Sequence, residues 1–179
     1  AVYAYPKDSD AVINGKNERV PLRLIPQTNG SYEVEKITAS GHIGFGVTSY
    51  DKQDLAPNNN GVSNIQTFYN GNKSLEVDFK RFSFDESKHI KRYIDYGYFK
   101  SKKSRIQKLF IEKNNPLSLF KDAYDDGYIH VEDSTASVYK IRIRDYKGNE
   151  TWVNIPIVGK NETVEADPYD AMQEKSLVY

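Results

Sequence analysis

The residues best equipped for chemistry in this sequence are three histidines and a few crowded carboxylates. His42, His89 and His130 lie far apart, and none stands in an H-x-H, H-E-x-x-H or H-x-x-x-D pattern. Catalytic zinc takes three protein ligands, normally including such a local pair. The histidines therefore read as surface or satisfied side chains, and no metal is expected. Asp85, Glu86 and Asp95 are the nearest approach to a glycosidase carboxylate pair, a chemistry that needs two carboxyls at a set separation; the non-enzymatic reading is preferred. Asp51, Asp54, Asn58, Asn59 and Asn60 crowd one loop with oxygen donors, and Asp145 with Asn149 crowd another. Calcium takes six to eight oxygens, but Asp and Asn are also the residues that close turns by capping backbone amides. Turn chemistry is the expectation for both loops.

A second kind of chemistry is binding. Lys88, Lys91, Arg92, Lys100, Lys102, Lys103, Arg105 and Lys108 are interleaved with Tyr93, Tyr96, Tyr98 and Phe99. Cations among stacking aromatics suit single-stranded nucleic acid or an anionic glycan. The whole chain, however, balances 25 Lys and Arg against 25 Asp and Glu, so no global field draws it to a polyanion. Nucleic acid is not an expected partner, and the stretch reads first as a solvated insertion whose aromatics pack on the body. Its Tyr93, Tyr96, Tyr98, Phe99, Lys102, Lys103 and Arg105 form the candidate binding surface. Neither a phosphate-binding glycine loop nor a G-x-S-x-G elbow occurs, and no cofactor is expected. The absence of cysteine removes disulfide frameworks, thiolate zinc sites and cysteine nucleophiles together. N-x-S/T triplets at Asn29, Asn72, Asn149 and Asn161 read as chance matches.

The elements that would carry these residues are extended. At 179 residues the chain suits one domain with an elaborate insertion. Ile43, Phe45 and Val47 alternate with His42, Gly44, Gly46 and Thr48, the period of a half-buried strand, and the Gly44-Phe45-Gly46 segment marks a bulge or close sheet packing. A loop follows, then a second alternating run over Val62 to Tyr69, so the chain turns back twice. Asn70-Gly71 is the strongest short hairpin signal, joining that run to Ser74–Phe82. Tyr139–Arg144 and Trp152–Ile157 form another hairpin around Gly148 and Asn149. Val2–Tyr5 before Pro6, and Arg19–Ile25 with Pro21, read as edge strands because proline cannot donate to a ladder. Glu86 to about Tyr96 has helical spacing behind an Asp85 cap. Ile106, Leu109, Phe110 and Ile111 read as an apolar anchor, Asp125-Asp126-Gly127 as a turn and Tyr128–Val131 as a strand.

Short strands punctuated by turns predict a mainly all-β fold, an immunoglobulin-like two-sheet β-sandwich over residues 1–160 with a partly helical insertion at about 83–125. Residues 161–179 read as an acidic tail. No apolar run approaches the roughly 20 residues of a membrane span, so no transmembrane segment is expected. The start lacks the pattern of a signal peptide, and an opening Ala suggests a processed or excised piece of a longer parent.

Three segments together carry a resemblance. They are Ser40-Gly41-His42-Ile43-Gly44-Phe45-Gly46 with Tyr50-Asp51 and Asn60-Gly61-Val62; Phe82-Ser83-Phe84-Asp85-Glu86 with Ile94-Asp95-Tyr96; and Tyr139-Lys140-Ile141-Arg142-Ile143-Arg144-Asp145 with Gly148-Asn149. This pattern resembles the β-sandwich region that follows the catalytic domain in certain lysostaphin-like peptidoglycan zinc endopeptidases of Gram-negative bacteria. The family's zinc motifs belong upstream and have no counterpart here, so no catalytic residue carries over. The resemblance implies an exported, periplasmic or envelope-associated accessory domain, partnered by an upstream peptidase domain or another envelope protein and in contact with peptidoglycan. A stand-alone glycan- or protein-binding sandwich is the second expectation. An enzyme with an unrecognised carboxylate pair is the third.

Overall fold

The computed structural model describes residues 1–48, 62–78, 106–112, 120–121 and 123–161. Within them the chain is all-β, and its hydrogen-bonded strands curl into a half-barrel. The strands are β1 (Val2–Pro6), β2 (Val12–Ile13), β3 (Val20–Leu22), β4 (Leu24–Pro26), β5 (Tyr32–Val34), β6 (Ile37–Thr48) and β7 (Val62–Tyr69). They continue as β8 (Asn72–Asp78), β9 (Ile106–Lys108), β10 (Phe120–Lys121), β11 (Ile129–Val131), β12 (Ala136–Asp145) and β13 (Glu150–Gly159). The main path runs β10-β8-β7-β12-β13-β6-β1-β3. No helix among the described residues is long and apolar enough to cross a membrane.

The strand β6, 12 residues long, is where the two halves of the network join. Its first part pairs with β13 in parallel and with β2, and its second part with β1 on one side and β11 and β9 on the other. The change of partners falls at Gly41, whose φ of 80° is a left-handed conformation that glycine adopts without a Cβ clash. Beyond it, Ile43, Phe45 and Val47 face the core, where the Phe45 ring stacks on Tyr139 of β12 at 4.2 Å. Ile65, Leu75, Ile141, Ile143, Val153 and Ile155 complete that core. Burial of such side chains, at about 25 cal/mol per Å² of apolar surface, is what offsets the entropy of ordering so many short strands.

The predicted half-buried strand is buried on both faces from Ile43 to Thr48. The reason is Phe110, which lies so close over Gly44 that a Cβ there would sit 2.5 Å from its ring, with Ile106 similarly placed over Gly46. Two glycines thus create a flat strip on which a second apolar layer rests. The β12 and β13 strands keep the expected alternation, buried positions against exposed or half-buried ones.

Several pairings follow the sequence and several do not. Asn70 and Gly71, at φ 51° and 84°, close the expected β7–β8 hairpin in antiparallel register. The β12–β13 hairpin forms around Gly148 at φ 85°, while Asn149 stays out of the positive-φ region. The run Val62–Tyr69 does not fold back on β6; it pairs with β8 and β12 instead, because the matching apolar faces of β12 and β13 lie between them. The first strand is not an edge, since β3 and β6 flank it. Pro6 is tolerated there because it stands at the last position, beyond the reach of β3. The β3 strand ends the path, as Pro21 leads one to expect.

Residues 106–112 and 120–121, inside the stretch 83–125 expected to be inserted, are integral to the sheet: β9 pairs with β6 and β10 with β8. The expected helix at 86–96 and the acidic tail beyond 161 lie outside the described residues.

Ile43 and Ile143 are among the core residues, so Ile43→Asp or Ile143→Asp would bury an unpaired carboxylate. Either should abolish the cooperative urea transition. Tyr146→Ala, at the exposed tip after β12, should stay within about 0.5 kcal/mol of wild type. Native stability in either Asp variant would refute the strand assignment.

Candidate functional site

A cleft of about 650 Å³ opens where the β7–β8 hairpin meets the segment leading into β11. One wall is Tyr69, Asn72, Lys73 and Ser74; the other is Tyr124, Asp125, Tyr128, Ile129 and His130. Each wall exists for a local reason. The Asn70-Gly71 turn places Asn72 and Lys73 at the start of β8, and the 3₁₀ turn Asp125–Gly127 reverses the chain with both aspartates at positive φ. That turn sets Tyr124 and Tyr128 on either side of it. The two walls are joined by backbone, with Tyr124 N donating to Ser74 O at 2.8 Å. The Tyr69 hydroxyl adds a tie, 3.2 Å from Ser137 Oγ and 3.4 Å from the His130 carbonyl oxygen.

Below the cleft the polar groups continue inward. Ser74 and Thr67 share a buried hydroxyl bond of 2.6 Å. The fully buried Tyr139 hydroxyl lies by Thr67 without hydrogen-bond geometry. Burial holds that phenol well above the usual phenol range, with Thr67 acting weakly the other way. Tyr128 is pushed up to about 12, first by burial and then by the Glu112 and Asp126 carboxylates. Its ring also carries the Lys7 ammonium at 4.9 Å and packs on Phe110 at 4.9 Å.

The charges lining the cleft are unevenly occupied. Lys73 is paired with Glu76, a carboxylate only 6% exposed that also accepts from Asn64 and Gln66. Tyr124 is 77% exposed, a large ring that contributes little to the fold. His130 stands across from His42 on β6, their rings stacked at 4.5 Å with an 11° tilt. Two histidines 88 positions apart in sequence are thus brought together by the β11–β6 pairing. Among the described residues no group of three His, Cys, Asp or Glu side chains could hold a metal ion.

The outer face of β7, β12 and β13 is the other aromatic surface. Phe68 and Trp152 lie 5.8 Å apart with Arg142 over the indole, but its charges are paired internally, Arg142 and Arg144 both with Glu150. Asp145, one of the oxygen-rich candidates, accepts from Lys147 N, Asn149 N and Asn149 Nδ2 at 2.9 Å each. Its carboxylate closes the hairpin turn. Asp51, Asp54, Asn58, Asn59 and Asn60 lie outside the described residues. So do Asp85, Glu86, His89 and Asp95, and the proposed surface of Tyr93, Tyr96, Tyr98, Phe99, Lys102, Lys103 and Arg105.

Of the cleft residues, sequence reasoning considers His130 as a possible ligand and reads Asn72 and Asp125 as a chance triplet and a turn, but it does not bring them together or single out Tyr69, Tyr124 and Tyr128. The available signal was the excess of tyrosine, 14 in all, and the placement of two of them around the Asp-Asp-Gly turn. No protein-family model, curated protein or solved structure matches the chain.

The Tyr128 phenol keeps its proton in the folded state where an unfolded phenol, near 10, has lost it. Folded stability is therefore complete below about pH 10 and declines as pH rises toward 12. Melting curves across this window should show the decline, and Tyr128→Phe should make it shallower, leaving the share that the buried Tyr139 phenol contributes; an unchanged slope would mean the Tyr128 phenol carries no such burden.

Proposed function

We propose that this chain is a non-catalytic accessory or binding module of an exported cell-wall metallopeptidase, built as an immunoglobulin-like two-sheet sandwich. It works in the periplasm or envelope of a Gram-negative bacterium, next to an upstream peptidase domain or another envelope protein, with peptidoglycan as its contact. The observation that carries this reading is the tyrosine-lined cleft, whose walls are tied by backbone and hydroxyl hydrogen bonds to each other and to β12. Sites with apolar walls and a few placed polar groups are the usual form of a ligand cleft.

Two further features support it. Face-to-face packing of Phe45 on Tyr139 fits a two-layer sandwich in which β6 is shared. Two of the three segments that carry the family resemblance, Ser40–Gly46 and Tyr139–Asp145, fall on β6 and β12, the strands on which the core is assembled.

Sedimentation with purified Gram-negative sacculi tests the proposal. The intact chain should pellet with the sacculi and release no muropeptides, and Tyr124→Ala should lower the bound fraction. Failure to pellet, or release of muropeptides by the chain itself, would overturn it.

A further inference from the structure

We infer that the cleft between the β7–β8 hairpin and Tyr124–His130 takes an uncharged, hydroxyl-rich glycan, with one sugar ring on Tyr124 and its hydroxyls shared between Asp125 and Asn72. The inference rests on the cleft being a binding site and adds the ligand's chemical class. Four observations lead to it.

The first is size: about 650 Å³ lies within the range of roughly 300–1,000 Å³ typical of small-molecule sites. The second is Tyr124. A ring 77% exposed at the rim of a concave site offers an aromatic face, and the C–H face of a pyranose is an apolar surface that packs on one.

The third is hydrogen-bonding capacity. Asn72 and Asp125 are exposed, and neither side chain has a hydrogen-bond or ion-pair partner among the described residues. A carboxylate only accepts, whereas an amide both donates and accepts. Together they match a sugar hydroxyl, which does both.

The fourth is charge. Among the described lining residues the one lysine, Lys73, is taken by buried Glu76, while the Asp125 side chain has no ion-pair partner among the described residues. A sulfated or carboxylated chain would meet that carboxylate with no unpaired Lys or Arg among the described lining residues to oppose it, Lys7 lying over the Tyr128 ring and outside the lining, and like charges brought together are unfavourable. The preformed walls reduce the ordering cost of binding, as a shallow, weakly gripping glycan site requires.

NMR titration of the intact chain with chitotetraose, cellotetraose and a hyaluronan tetrasaccharide tests the assignment. A neutral oligosaccharide should shift the amides of Asn72, Tyr124, Asp125 and His130, with hyaluronan binding at least tenfold more weakly. Tyr124→Ala should weaken neutral binding by about tenfold, the scale of one aromatic contact. Asp125→Asn should narrow the preference against hyaluronan, and Tyr146→Ala, on the far hairpin tip, should change nothing. Equal or tighter binding of hyaluronan overturns the inference. So does the absence of binding by both neutral sugars: if sacculi still pellet with the chain, the ligand class alone falls, and if they do not, the binding function falls with it.

Discussion

The packing of two apolar layers against opposite faces of one strand is the constraint on which this molecule depends. On the inner face of β6, Phe45 stacks on Tyr139; on the outer face, Phe110 lies over Gly44 and Ile106 over Gly46. A strand with large side chains on both faces would hold these layers apart. Glycine on alternate positions lets them approach, and the same strand then has room for partners on both edges. The weak strand propensity of glycine is outweighed here by burial on both sides.

That arrangement also explains how the cleft is held. The outer layer includes Tyr128, packed on Phe110, and Tyr128 belongs to the cleft wall. The inner layer includes Thr67 and Tyr139, next to the hydroxyl pair that Ser74 completes beneath the cleft. Each wall is therefore the exposed edge of one of the layers clamped on β6. A side chain such as Tyr124 can be left in water because its backbone is fixed by Ser74, whatever its ring does.

How much of this was legible in the sequence depended on whether the signal was local. The β7–β8 hairpin was written in Asn70-Gly71, and the alternation of β12 was plain because one of its faces meets water. The burial of β6 on both faces was not, since the glycines that reveal it are compatible with several strand environments, and the residues that cover them come from Ile106 and Phe110, about 60 positions away. The edge role expected for β1 failed because proline restricts only the position where it stands. The cleft was hidden for a related reason: Tyr69 and His130 touch across 61 positions, and the Asp125-Asp126-Gly127 turn looks the same in sequence whether or not tyrosines flank a groove. The immunoglobulin-like reading and the family resemblance rest on segments of which the middle one, Phe82–Tyr96, falls outside the described residues.

The backbone bond from Tyr124 to Ser74 has one more consequence. Because it joins segments some fifty residues apart, the pocket walls meet only when the long-range sheet has already formed, and an unfolded chain has no partial version of the pocket to offer. Any occupant therefore binds the native ensemble alone, and global stability rises with its free concentration as RT ln(1 + [L]/Kd) by mass action. Saturation would raise the unfolding midpoint of the entire β framework together, not of the rim by itself.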